Sequence, residues 1–548
     1  MSWNRWRSAW APDLVEGMLS DLKRRSCALA AGALLMAGMT QAVFAQEQRR
    51  PDEARAADAA KPDAGKNENQ APVPPEKKSE THHDLNLDGK TLHYTATAGT
   101  LIIRDGEDDH PYGSIFSVAY TLDGADPNTR PVTFLYNGGP GSATIWLHMG
   151  SVGPVRVVTD SPKATGPAPY QIVPNQYSLL DKTDLVFIDA PLTGFSRAVG
   201  KGTAKDFTGV DQDLKAFTKF IQRWVTVNNR WNSPKYLFGE SYGTTRSAGL
   251  ADSLQGGGIS LNGVILLSSI LNYNVEGPGL DATFVGNLPS YAAIAWYHNK
   301  LANKPADIKA FLGEVRTFAR GEYADALWQG DALPPSQFDA VAAKVAQYTG
   351  LPVDYVKEAK LRISPTRFRK ELLRDEGDIL GRYDARFEGT DVDNAGEMPG
   401  YDPSDTGISG AFIAAFHDYL TNQLKYDTND EYRPSAGSIG EWDWHHRPPG
   451  GGFRGFGRDE TQPDVIDDLA DAMRKNPTMK VFSANGLFDL ATPFFITEMD
   501  LAHMMLAPDL SKNVEFGYYP SGHMVYLNVD ALKDFHHDLE GFYTETGH

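Results

Sequence analysis

This sequence has almost no sulfur with which to cross-link, ligate or attack. Its one cysteine in 548 residues, Cys27, lies within an N-terminal apolar run, so the rest of the chain has no thiol for a disulfide, a catalytic cysteine or a thiolate metal site. Long hydrophobic runs are also missing. The apolar run 27–39 falls short of the ~20 residues that a membrane helix needs, and no later segment reaches that length, so no stable membrane span is expected. Positive charge is scarce as well: 52 Lys and Arg against 71 Asp and Glu leave a formal charge of -19, which argues against a duplex nucleic acid as partner. No motif implies a cofactor or a metal. The adjacent pair His82-His83 points in two directions and does not make a chelating site.

What is present begins with Lys23-Arg24-Arg25, then the apolar run, then Ala42-Val43-Phe44-Ala45. This reads as a bacterial-type secretory signal cleaved after Ala45, with Met18 as an alternative start, and it implies an exported protein, periplasmic or secreted. A Pro-, Ala-, Lys- and Glu-rich stretch follows and is expected to be a disordered linker over 46–84. An opening antiparallel meander is predicted from about Leu85. The apolar runs 132–136, 185–188, 236–238 and 264–267 have the continuous character of parallel strands covered on both faces. Residues 85–273 and 466–548 therefore form the two parts of an α/β core with a mostly parallel central sheet. Between them, 274–465 is a helical insertion with predicted helices at 290–300, 306–328, 336–348, 365–375 and 409–424 and no convincing buried strand. Late in it, Trp442, Trp444, His445, His446, Phe453 and Phe456 sit among glycines and prolines, as expected of an irregular surface loop or of a lid.

The chain is organised around Gly239-Glu240-Ser241-Tyr242-Gly243, which follows an apolar strand and precedes a helical pattern. In G-x-S-x-G the glycines permit a turn too sharp for a Cβ, and the serine is held at the N-terminus of the new helix. Serine needs a base, itself oriented by an acid, and on such a sheet both come later, each on a loop after a strand. Asp489 follows the run ending at Ala484, and His523 follows the run ending near Tyr519. His503, His536 and His537 lie on helical patterns and are expected to be structural. The oxyanion of an acyl transfer needs two backbone donors: the N–H of Tyr242 and one from the loop Asn137-Gly138-Gly139-Pro140-Gly141.

These pieces, with Asp189-Ala190-Pro191-Leu192-Thr193-Gly194-Phe195-Ser196 and Gly522-His523-Met524-Val525, resemble the serine carboxypeptidase family in kind and order. The resemblance implies the α/β-hydrolase fold with a helical cap, and removal of C-terminal residues from a peptide with a free C-terminus through an acyl-enzyme. It implies Ser241, Asp489 and His523 as catalytic triad, Gly139 and Tyr242 as oxyanion donors, and Asn137, Gly138 and a protonated Glu240 as the holders of the substrate carboxylate. One departure stands out: where relatives often carry a second glutamate before a Gly-Pro, this chain has Ser151. The alternatives are an esterase, acyltransferase or aminopeptidase on the same scaffold, or a non-catalytic binding protein.

Overall fold

The computed structural model describes residues 71–275, 280–437, 441–448 and 462–547. The expected signal peptide, and residues 46–70 of the expected linker, lie outside them. The described chain opens on the antiparallel strands β1 (Lys78–Leu87), β2 (Lys90–Asp105) and β3 (His110–Leu122). Asp88 and Gly89, both at positive φ, make the tight β1–β2 turn. Residues 78–84, assigned above to the linker, are instead the first part of β1. Their composition is polar because one face is exposed, but alternate residues are half-buried, His83 stacks on Tyr94, and the backbone pairs with β2 throughout.

The continuous apolar runs form β4 (Val132–Tyr136), β5 (Asp184–Ile188), β6 (Lys235–Glu240) and β7 (Gly263–Leu267), every residue of them buried. Between β5 and β7 come α1 (Val210–Val227) and α2 (Tyr242–Gly256). The chain then leaves the sheet for the insertion. There α3 (Ala282–Tyr297) begins earlier than predicted and carries Pro289 inside it, tolerated although proline lacks the N–H of a helix interior. The insertion is not wholly helical: Asp378–Leu380 and Glu388–Thr390 pair as a two-stranded ribbon with Ile379 and Leu380 buried, a strand too short for periodicity to reveal. Next come the single turn α4 (Pro403–Thr406) and α5 (Ser409–Asn422). The core resumes with α6 (Ile466–Lys475), β8 (Lys480–Gly486), β9 (Val514–Tyr519) and α7 (Val529–Thr546).

The main sheet is ten-stranded, ordered β1-β2-β3-β5-β4-β6-β7-β8-β9, with the short strand Arg197–Ala198 beside β3. From β5 onward all pairs are parallel. Phe217 of α1, Leu250 of α2 and Leu469 of α6 pack into an apolar layer on one face. Phe535 and Leu539 of α7, with Phe412 and Phe416 of α5, belong to the layer on the other. This strand order, helices on both faces and a helix entered directly from β6 are the α/β-hydrolase fold. Among the described residues no helix is long and apolar enough to cross a membrane.

Register places the site. β4 pairs with β6 so that Tyr136 stands opposite Gly239, and the next residues of the two strands, Asn137 and Glu240, emerge side by side at the carboxyl edge. β8 and β9 pair up to Gly486 and Tyr519, so the loops bearing Asp489 and His523 leave the same edge together. In open α/β sheets that edge is where ligands bind.

Candidate active site

Ser241 sits at φ 61° and ψ -131°, a left-handed backbone that L-residues avoid, and α2 begins at the next residue. The glycines have a steric reason. A Cβ on Gly239 would lie 2.0 Å from the Gly243 carbonyl oxygen, and one on Gly243 would lie 2.8 Å from that of Tyr136. The turn is pinned by the Ser241 N–H donating to Leu267 O (3.0 Å) and the Thr244 N–H donating to Ser241 O (2.8 Å).

Asp489 and His523 are joined at 2.7 Å, Nδ1 to Oδ2, and both are buried. The other Asp489 oxygen accepts from the N–H groups of Ala491 (2.7 Å) and Thr492 (3.0 Å), and the Thr492 hydroxyl donates to Oδ2 at 2.7 Å. Burial pulls the His523 pKa down, but the charge and hydrogen bond of Asp489 outweigh it and the net shift is upward. The ring is fixed from the backbone too: the His523 N–H donates to Tyr383 O (2.6 Å), and the Ser268 hydroxyl donates to His523 O (2.6 Å). Among the described residues neither the Ser241 hydroxyl nor His523 Nε2 has a hydrogen-bond partner. Both groups line one cavity of about 120 Å³.

The same cavity is lined by Asn137, Gly138, Gly139 and Glu240. Asn137 Nδ2 donates to Glu240 Oε1 (2.9 Å), and the Tyr526 hydroxyl donates to Oε2 (2.8 Å). Burial pushes the Glu240 carboxyl up to about 7, against the lowering effect of His523. Asn137 is itself held, its Oδ1 accepting from Leu147 N–H (2.9 Å) and its backbone carbonyl accepting from Arg246 Nη1 (2.8 Å). Gly138 is pressed against the elbow: a Cβ there would lie 2.3 Å from the Tyr242 nitrogen. As the first residue of α2, Tyr242 has an N–H that no intrahelical carbonyl can accept. Gly139 has φ 110°, open to glycine and strained for other residues.

All eight residues singled out from the sequence thus gather at one edge: six line the cavity, Asp489 is bonded to His523, and Tyr242 contributes its backbone. Sequence reasoning missed Thr492 and Tyr526, each three residues beyond a residue it had chosen. Residues 441–448 are irregular, as expected of a loop, with Glu441, His445 and Arg447 exposed, but the segment also packs inward. Trp442 and Trp444 pack on the Tyr242 ring at 5.6 and 6.4 Å, and buried His446 bridges Asp211 (2.7 Å) and Asp468 (3.1 Å). Phe453 and Phe456 lie outside the described residues. His503 stands at the C-terminus of its helix and contacts Met499 O, and His536 contacts Ser178 O.

Residues 113–275 match the sequence model of a family described as serine carboxypeptidase. That stretch is similar in sequence to the serine carboxypeptidase family. It runs from β3 to just beyond β7 and carries the glycine loop, Glu240 and Ser241, but neither Asp489 nor His523. Among curated proteins, the serine-type carboxypeptidase F of Aspergillus niger is 32% identical over 112 residues, 20% of this chain and 19% of that protein. The pheromone-processing carboxypeptidase KEX1 of Cryptococcus gattii is 33% identical over 125 residues, 22% of this chain and 18% of that protein. The chain therefore aligns with about a fifth of the length of these relatives. Among solved structures, the prohormone-processing carboxypeptidase Kex1Δp of Saccharomyces cerevisiae matches over 82% of this chain and 92% of its own, at 16% identity and a TM-score of 0.47.

Proposed function

We propose that this protein is a serine carboxypeptidase. The observation that carries the reading is Glu240: a buried carboxyl beside the serine, tied to Asn137 and Tyr526, with its pKa pushed up to about 7. A plain esterase needs no such group. Asn137 donates to one Glu240 oxygen, and while the Tyr526 hydroxyl donates to the other the proton of the neutral acid is free to turn to an acceptor in the cavity. A carboxylate of the substrate supplies one, in a hydrogen bond that is stronger for being charge-assisted. Gly138, with no Cβ, lets the loop backbone pack against the elbow, which keeps Asn137 beside Glu240 at the cavity wall.

The chemistry then follows. Ser241 Oγ attacks the carbonyl carbon of the last peptide bond while His523 Nε2 takes its proton, and Asp489 stabilises the imidazolium. Charge on the carbonyl oxygen is met by the N–H groups of Gly139 and Tyr242, with the N-terminus of α2 behind them. As the tetrahedral species collapses, the C–N bond breaks, His523 returns the proton to the leaving nitrogen, and the C-terminal residue departs. Water then attacks the acyl-Ser241 ester by the same steps. On this reading the chain is exported, to the periplasm or beyond, on the strength of the basic and apolar pattern before Ala45.

The test is hydrolysis of an N-blocked dipeptide against its C-terminal amide and its ester. The free acid is expected to be cleaved far faster than the amide. Equal rates for acid and amide would remove the carboxylate-binding role of Glu240 and leave a general serine hydrolase. Ser241→Ala is expected to abolish labelling by a fluorophosphonate and to leave at most the ~10³–10⁴-fold acceleration over water that binding and the oxyanion donors supply.

A further inference from the structure

The turn that joins the two strands of the insertion's ribbon, residues 381–387, reaches the loops that carry Asp489 and His523 and bonds to both through its backbone. The Leu490 N–H donates to Arg382 O (3.1 Å), the His523 N–H to Tyr383 O (2.6 Å), and the Ala385 N–H to Phe488 O (3.0 Å). Phe488, Leu490 and His523 are all buried, so a displaced turn would leave their backbone groups unpaired. The approach is close as well. A Cβ on Gly522, the residue before the base, would lie 2.4 Å from Tyr383 O and 2.4 Å from Asp384 Cβ.

An ion pair inside the turn gives it its shape. Arg386 Nη2 donates to Asp384 Oδ2 (2.6 Å), while Arg386 Nε and its backbone N–H both donate to Oδ1 at 3.0 Å, and both side chains are buried. Arg386 Nη2 also lies 3.2 Å from Ser521 Oγ, two residues before the base. On the other side the turn is anchored to the insertion. His298, the residue that ends α3, donates from Nε2 to Ala385 O (2.6 Å), and Asp402 accepts from the Arg382 N–H (3.0 Å). Ala385, Phe488 and Leu490 share the apolar layer of the insertion.

We propose that Asp384 and Arg386 are positioning residues for the reaction: their ion pair fixes the turn, and the turn sets the distance and angle at which the Asp489 carboxylate meets the His523 ring. This rests on the reading of Ser241, His523 and Asp489 as a triad. Neither Asp384 nor Arg386 lines the cavity, so they act through the acid and base loops. A buried ion pair adds little stability over apolar side chains of like volume, and what this one supplies is a single geometry of the turn. The insertion is then a working part of the triad's support as well as a cover. The carboxylate-binding groups are independent of it: Asn137 and Glu240 leave β4 and β6, and among the described residues neither bonds to the turn.

The experiment compares the full-length wild type with Asp384→Asn and Arg386→Lys. It measures hydrolysis of N-blocked dipeptides with a free C-terminus, and the rate at which a fluorophosphonate labels Ser241, which needs the base but no substrate carboxylate. Asp384→Asn keeps the size of the side chain and removes its charge. Its kcat and labelling rate are expected to fall about 10- to 100-fold, the range of a hydrogen bond to a charged group, with KM changed by less than about twofold. Against burial, the charge and hydrogen bond of Asp489 hold the His523 pKa up, helped by Glu240 and opposed by Arg382. A looser turn weakens the hold of Asp489, so the acid limb of both rates is expected to move to lower pH. Arg386→Lys keeps the positive charge without the fork, and is expected to recover part of the rate and of the limb. An Asp384→Asn protein that loses stability while kcat, labelling rate and limb stay at their wild-type values overturns the proposal. Hydrogen exchange of the wild type tests it without a variant: the amides of Ala385, Leu490 and His523 are expected to exchange at one common rate, as a single cooperative unit. A turn that opens much faster than the two loops overturns the proposal too. Equal wild-type rates for acid and amide substrates would instead remove the carboxypeptidase reading and leave this one standing, because labelling reads the triad alone.

Discussion

Arg246 is paired with Asp213 in the interior, Nε to Oδ2 at 2.7 Å and Nη2 to Oδ1 at 3.1 Å, with neither side chain appreciably exposed. The pair joins α2, which starts at the nucleophile elbow, to α1 behind it. The guanidinium also donates to the Asn137 carbonyl, at the root of the glycine loop, and lies over the Phe217 ring with its carbon 4.1 Å from the centre. A core ion pair thus holds together the elbow and the loop that faces it.

Removing one partner leaves a buried charge without its counter-ion. Asp213→Ala is expected to destabilise the fold by about 3–5 kcal/mol. The double variant Asp213→Leu/Arg246→Met is expected to recover most of that, leaving chiefly the cost of the unpaired Asn137 carbonyl, about 1–3 kcal/mol. Denaturant titration of the three proteins measures both terms. A single variant as stable as the wild type would show that water reaches the pair.

Glu240 gives the protein a pH dependence whose sign can be worked out. Its pKa in the fold is about 7, above the 4.5 of a free glutamate, chiefly through burial. A carboxyl raised in this way binds more protons folded than unfolded. Its contribution to stability is therefore complete below pH 4.5 and is lost as pH rises through about 7. Activity towards free-acid peptides is expected to fall over the same alkaline limb, because the neutral acid is what binds a carboxylate. His523, raised by Asp489, sets the acid limb, and because the two groups interact they titrate as a coupled pair. In Glu240→Gln the alkaline limb is expected to vanish from the kcat/KM profile of free acids, and the fall of Tm with pH to flatten. An ester substrate should lack that limb already in the wild type. The same limb in wild type and variant would assign it to another group.

The elbow and the core strands were legible because their signals are local. A serine between glycines after an apolar run has one geometric meaning, and strands buried on both faces have no polar residues to interrupt them. The positions of Asp489 and His523 were legible for a related reason, since loops after neighbouring parallel strands leave the same edge. What stayed hidden depends on contacts between distant segments. β1 looks like linker because its pairing with β2 is made by backbone atoms, which composition does not report. Tyr526 and Arg246 gain their importance from Glu240, Asp213 and Asn137, partners that only the folded chain brings near.

Thr492 is the residue whose role sequence reasoning missed most completely. Its hydroxyl donates to Asp489 Oδ2 at 2.7 Å and sits 3.1 Å from His523 Nδ1, while its N–H donates to Oδ1 at 3.0 Å. Because it lies outside the cavity lining, it is a positioning residue that acts by fixing the carboxylate against which the imidazole is aligned. Thr492→Val keeps the shape and the N–H but removes the hydroxyl. The loss of one hydrogen bond to a buried charged group, about 1.5 kcal/mol, translates into roughly a tenfold fall in kcat. KM is expected to change little, because the bond supports the transition state rather than substrate binding. The acid limb of the pH profile is expected to move upward, since an Asp489 less well solvated by hydrogen bonds holds the imidazolium proton more tightly. Thr492→Ser, which restores the hydroxyl, is expected to restore both kcat and the limb. A valine variant that lowers stability while kcat and the pH profile stay fixed would reduce Thr492 to a packing residue.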